Sequence, residues 1–192
     1  MPGSVSMNEL AGLWIPIVVS ALAVLGASCV VHVFIAQRLR NWKTLPEEDA
    51  TVEHLQKSGT APGFYVFPRR YSRASNGSEE AYVHRMESGP WGSVNVRARQ
   101  PSMGRSLVQS LTFCLVTSVF VAYLGTLALS PGDDFSRVFQ VIGTAGILAY
   151  AFGGIPNAIW LGMDFRSAVL DVVDGTLCGL ITGAVFGMLW PN

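Results

Sequence analysis

The sequence predicts an all-α polytopic membrane protein with four transmembrane helices. A small cytoplasmic helix-plus-β segment lies between the first and second. Three observations predict it. Half of the 192 residues are apolar and only 14% are charged, with no net charge. The apolar residues gather in four runs, about 10–36, 107–129, 138–161 and 168–190, each long enough to cross about 30 Å of hydrocarbon as a helix. Eleven of the thirteen Lys and Arg fall between residues 37 and 106, outside every run. Intrinsic disorder and a secreted disulfide framework are excluded by the same numbers, since the chain is apolar and holds three cysteines.

The first run is expected to stay in the mature chain. Residues 1–9 carry no Lys or Arg, and the run is far longer than the apolar core of a signal peptide. Its flank, Arg38, Arg40 and Lys43, and the flank of the second run, Arg97, Arg99 and Arg105, are basic. The short 130–137 connection instead holds Asp133, Asp134 and one arginine. Positive flanks stay in the cytoplasm. The expected layout is therefore 1–36 as external N-terminus and first span, 37–106 as cytoplasmic segment, and 107–192 as the other three spans with the C-terminus outside. The expected location is a bacterial inner membrane.

Within the cytoplasmic segment, Thr44 and Glu47 read as the capping pair of a helix running to about Lys57, stopped by Ser58–Gly63. Three strands are expected at 64–67, 81–86 and 93–99, with a turn at 87–92. So small a sheet has little core of its own. It should rest on headgroups or a partner, with Tyr71 and Trp91 as interfacial anchors. Arg69, Arg70 and Arg73 are candidates for anionic lipid headgroups, although ordinary positive-inside topology is the plainer reading. Seven acidic residues and no recognised binding motif argue against nucleic acid.

The sharpest pattern is Gly175, Gly179, Gly183 and Gly187, four glycines at strict four-residue spacing. Residues four apart share a helix face. In lipid, association leans on close contact between small residues, so this stripe reads as a packing groove. Gly143, Gly146 and Gly153 form a small face on the third run. The simplest arrangement packs the third run on the fourth within one chain, and a contact with another subunit is the competing use. Gly162, outside the stripe, is expected to tolerate substitution.

Polar groups at membrane depth default to a functional hypothesis. Asp171 and Asp174 lie three and six residues into the fourth run, about 5–9 Å along its axis. His32 sits near the end of the first run. Asn157 follows Pro156, which removes a helical hydrogen bond and predicts a kink at Phe152. These four residues are the candidate polar site, with helix-end stabilisation as the plain alternative for the aspartates. Cys29, Cys114 and Cys178 fall on three different runs and read as small buried hydrophobes, so no metal or cofactor is assigned. No phosphate loop, Cys-x-x-Cys pair, His-Glu-x-x-His or Gly-x-Ser-x-Gly is present, and no catalytic set can be assembled. The expected function is a structural or accessory subunit of a membrane assembly, joined to other subunits or to itself. The alternatives are an oligomeric small transporter or channel with Asn157, Asp171 and Asp174 near its cytoplasmic mouth and, least favoured, an intramembrane enzyme.

Overall fold

A computed structural model describes residues 7–36, 43–70 and 79–191. The chain divides into two compact units, Met1–Asn41 with Ser102–Asn192, and Trp42–Pro101.

The larger unit is helical: α1 (Met7–Gly12), α2 (Trp14–Val30) continued by a π-helical stretch (Val31–Ala36), α5 (Met103–Ala128), α6 (Phe135–Ala151), α7 (Ile155–Leu161) and α8 (Phe165–Leu189). The smaller unit holds α3 (Glu48–Lys57), β1 (Gly63–Phe67), α4 (Glu79–Ser88) and β2 (Gly92–Val96). Three helical stretches among the described residues are long and apolar enough to cross a membrane: Met103–Ala128, Phe135–Leu161 and Phe165–Leu189.

The first apolar run differs from the single helix expected. Its continuous α-helical part, α2, has 17 residues, about 25 Å at the helical rise and short of a full hydrocarbon thickness. Pro16 accounts for the break ahead of it. Its ring occupies the space where the Gly12 carbonyl would accept a hydrogen bond, so α1 stops at Gly12 and the ladder resumes with Ile17 N–H donating to Leu13 O. The third run breaks too, at Phe152–Gly154, where Gly153, Gly154 and Pro156 follow one another. Here a kink was expected from Pro156, and the Phe152 carbonyl instead accepts from Ile155 N–H at 3.3 Å. Aspartates start the last two long helices: Asp134 accepts from Arg137 N–H, and Asp164 from Ser167 N–H.

α6 and α8 make the most extensive contact in this unit, with α2 packed on both α8 and α5. The interior holds Leu13, Val121, Val138, Ile142 and Phe186 at one end, and Ala21, Val24, Cys114 and Cys178 at the other. Small polar groups are buried with them, and Ser20 Oγ and Ser118 Oγ share a hydrogen bond of 3.0 Å. The outer surface carries the large apolar side chains, Phe120, Leu148 and Val173 among them, each more than 60% exposed. That distribution suits hydrocarbon surroundings, where a large apolar side chain gains nothing from leaving the outer face.

In the smaller unit, β1 and β2 pair antiparallel, with Tyr65 opposite Val94 and Phe64 opposite Asn95. The expected strand at 81–86 is α4. Glu79, Glu80, Arg85, Met86 and Glu87 are all good helix formers, and the alternation seen around Tyr82 and Val83 was too short to outweigh them. α3 begins at Glu48, not at Thr44. Glu47 takes a left-handed conformation (φ 52°) just ahead of it, and no side chain caps it. Gly59, at φ 61°, ends α3 as expected from the Ser58–Gly63 stop. Tyr71 and Arg73 lie outside the described residues.

Candidate functional site: a polar cavity in the helical unit

The glycine stripe faces α6. An added Cβ at Gly175 would stand 2.4 Å from Ala151 Cα, one at Gly179 2.4 Å from Ile147 N, and one at Gly183 2.8 Å from Gly143 Cα. At Gly187 the obstacle is the Phe135 ring, at 2.7 Å. On α6, a Cβ at Gly146 would lie 3.0 Å from Gly179 Cα, and Gly143 faces the same groove. Backbone therefore lies against backbone from Gly175 to Gly183, about two turns. Gly153 is different: a Cβ there would meet nothing within 4 Å, because it falls in the break beyond α6. Gly162 has φ 65°, so a side chain there is strained even in open space, against the tolerance expected of it.

Where α6 ends, the close packing ends. A cavity of about 410 Å³ opens between α2, α5, α6 and α8. Its wall includes Ala151 and Gly154, which have almost no side chain to fill it. On α8, Asp171, Asp174, Gly175 and Cys178 follow the helical i, i+3, i+4, i+7 spacing and so face it together. On α2 and its π-helical continuation, Ser28 and His32 are four apart and do the same. α5 contributes Ser110, Phe113 and Cys114, and α6 contributes Tyr150.

Asp174 is the centre of the polar contacts. Ser28 Oγ donates to Asp174 Oδ2 at 3.3 Å, and His32 Nδ1 lies 4.0 Å from the same oxygen. The Asp174 side chain is 17% exposed and the His32 side chain 53%. Asp174 Oδ1 is shut off from solvent and accepts no hydrogen bond, and the Tyr150 hydroxyl is likewise buried and unbonded. Asp171 reaches the neighbourhood of Gly154, with Oδ2 3.6 Å from where a Cβ would stand. Phe113 meets Tyr150 edge-on at 5.8 Å.

Asp174 is deeper than the apolar run indicated. α8 starts at Phe165, three residues before the run, so Asp174 lies nine residues in, about 13 Å along the axis. Stabilisation by the first turn of the helix fades within that turn and does not reach it.

Of the four candidate polar residues, His32, Asp171 and Asp174 share the cavity wall. Asn157 does not: it is exposed on α7, turned away by the same break that opens the cavity. Cys29, Cys114 and Cys178, the only cysteines in the sequence, all line the cavity as free thiols. Among the described residues, no three His, Cys, Asp or Glu side chains gather as a metal-holding group. Sequence reasoning missed Ser28, Ser110 and Phe113. The four-residue spacing of Ser28 and His32 was the available signal for the first. A serine in an apolar run says little until its partner is known.

No protein-family model, curated protein or solved structure matches this chain.

Proposed function

We propose that the chain crosses a bacterial inner membrane four times, with segment 37–106 in the cytoplasm, and that its helical unit binds a polar solute in the cavity around Asp174. The observation that carries this reading is a carboxylate more than a helical turn inside an apolar helix, with one oxygen unsatisfied at a cavity. Such a group costs stability and persists where something else requires it. A transporter or carrier subunit uses a site of this kind, and several copies would be needed to complete a pathway.

The native thiols test it. Cys29 is the most accessible of the three. In detergent-purified protein it should react several-fold faster with a trimethylammonium-bearing methanethiosulfonate than with the sulfonate-bearing one, read by intact mass. If neither reagent reaches any cysteine in the folded chain, while both label the denatured chain, the cavity is closed to water and the solute-binding reading fails.

A role as accessory subunit has separate support, in the smaller unit. None of its described residues is buried, and Phe64, Tyr65, Val66, Phe67, Met86 and Trp91 are all exposed. A hairpin without a core needs another surface. The glycine stripe adds nothing to that reading, since α6 of the same chain occupies it. Arg69, Arg70 and Arg85 line a recess of about 760 Å³ with Phe67 and Pro68, and Glu79 engages Arg70. Basic groups beside aromatic ones suit an anionic headgroup, worth about 1 kcal/mol for each basic side chain. Copurifying chains in mild detergent would support the subunit role, and a lone monomer would count against it.

A further inference from the structure

We infer that the ligand of the α2–α5–α6–α8 cavity is a small organic cation bearing an ammonium group, an inference that rests on the solute-binding reading above. Charge is the first argument. Two carboxylates, Asp171 and Asp174, face the cavity against one imidazole, His32, and no lysine or arginine is among the described residues of its wall. An anion entering would meet the Asp174 carboxylate, whose Oδ1 accepts no hydrogen bond, at a depth where unfavourable charge is costly.

Hydrogen bonding is the second. Asp174 Oδ2 is engaged by Ser28, but Oδ1 is sheltered and unbonded. That leaves an acceptor in need of a donor. An ammonium supplies up to three donors and a positive charge at once, and hydrogen bonds between ionised partners are the strong ones.

Size and lining are the third. A volume of about 410 Å³ falls in the range of small-molecule sites, roughly 300–1,000 Å³, and exceeds what a bare metal ion fills. No metal-holding group of three side chains exists among the described residues to close around one. Besides Ser110 and the three thiols, the wall is largely apolar or aromatic, with Val24, Leu25, Leu107, Phe113 and Tyr150. Such a wall accommodates the carbon part of an amine, and ring faces attract its charge.

The test uses the full chain in detergent, with Cys29 as reporter and a small neutral methanethiosulfonate as reagent. Ethylammonium chloride should slow Cys29 modification saturably, while sodium chloride at equal ionic strength and sodium methanesulfonate do not. Asp174→Asn should raise the protecting concentration at least about tenfold, the loss of one charge-assisted hydrogen bond. Asp174→Glu should recover part of the protection, which separates loss of charge from loss of fold.

Equal protection by sodium and ethylammonium would overturn the organic-cation assignment. So would unchanged protection in a folded Asp174→Asn protein, or reaction of Cys29 at one rate under every salt. In those outcomes the cavity remains open to reagent, so the solute-binding reading stands apart from the failure. The same ammonium chemistry can arrive as a free amine or as an ethanolamine headgroup. Adding phosphatidylethanolamine to phosphatidylglycerol bilayers holding the protein distinguishes the sources. Protection by the lipid without soluble amine assigns the headgroup, and protection by ethylammonium alone assigns the free amine.

Discussion

The two halves of α8 are built on opposite rules. From Gly175 to Gly187 the helix gives up side chains so that the α6 backbone can lie against it. From Asp171 to Cys178 its adjoining face carries carboxylates and a thiol into the cavity wall. The first half gains stability from contact, and the second tolerates an unsatisfied oxygen and a cavity. A helix that only packed would have no reason to keep Asp174 at that depth. The difference teaches that stability and binding are separated along one helix, within a few turns of each other.

Breaking the packed half should have the largest effect. Gly179→Leu places its Cβ 2.4 Å from the Ile147 backbone nitrogen, an atom that cannot move without moving α6. Overpacking of this kind costs about 3 kcal/mol or more, and thermal unfolding in detergent should show a large drop or no folded protein. Gly26, with nothing within 4 Å of an added Cβ, is the suitable control, and alanine there should be mild or favourable. An unchanged melting temperature for Gly179→Leu would mean that α6 does not lie against the stripe.

A middle-sized effect is expected where α2 meets α5. Ser20→Ala removes one partner from the buried Ser20–Ser118 pair and strands the other hydroxyl, costing about 1–2 kcal/mol. Removing both hydroxyls should cost less than the two single changes added together, and a double-mutant cycle measures the coupling.

In the open half the sign should reverse. Asp174→Asn relieves a carboxylate whose Oδ1 has no partner, so stability should hold or rise by about 1 kcal/mol while ammonium protection is lost. A destabilisation as large as that of Gly179→Leu would make Asp174 a structural residue and dissolve the contrast between the halves.

The smallest effect on stability belongs to the coreless hairpin. Phe64 is half exposed, and Phe64→Ser should change the melting temperature of the helical unit little, within about 0.5 kcal/mol. Flotation with anionic vesicles, applied to the whole chain in its reconstituted form, should show weaker protection of residues 64–67 from protease.

Much of the helical unit was legible in the residues because its signals are local. Apolar runs, the four-residue glycine spacing and the Gly-Gly-Ile-Pro break at 153–156 each act through neighbours in sequence. The break at Gly12 was legible as well, since Pro16 announces it, but the run around it was read as one helix. Ala81–Met86 was misread because six residues of weak alternation match a strand, while the helix draws on acidic residues outside that window. The cavity was only half visible. Asp171, Asp174 and His32 stood out as ionisable groups in apolar runs, and Asn157 stood out as an amide beside Pro156 but ends up outside.

By itself the sequence determined which stretches are helical and apolar, where prolines and glycines interrupt them, and that one helix carries a side-chain-free stripe next to two carboxylates. These are matters of composition, spacing and backbone geometry within a turn or two. Only the tertiary structure decided that the stripe faces α6, that the break after Ala151 leaves a cavity, and that Ser28, His32 and the three cysteines meet Asp174 around it. Those pairings join residues up to 146 positions apart. They follow from how four helix faces fit together, because a hydroxyl or a thiol in an apolar run gains a role only from the side chain packed opposite.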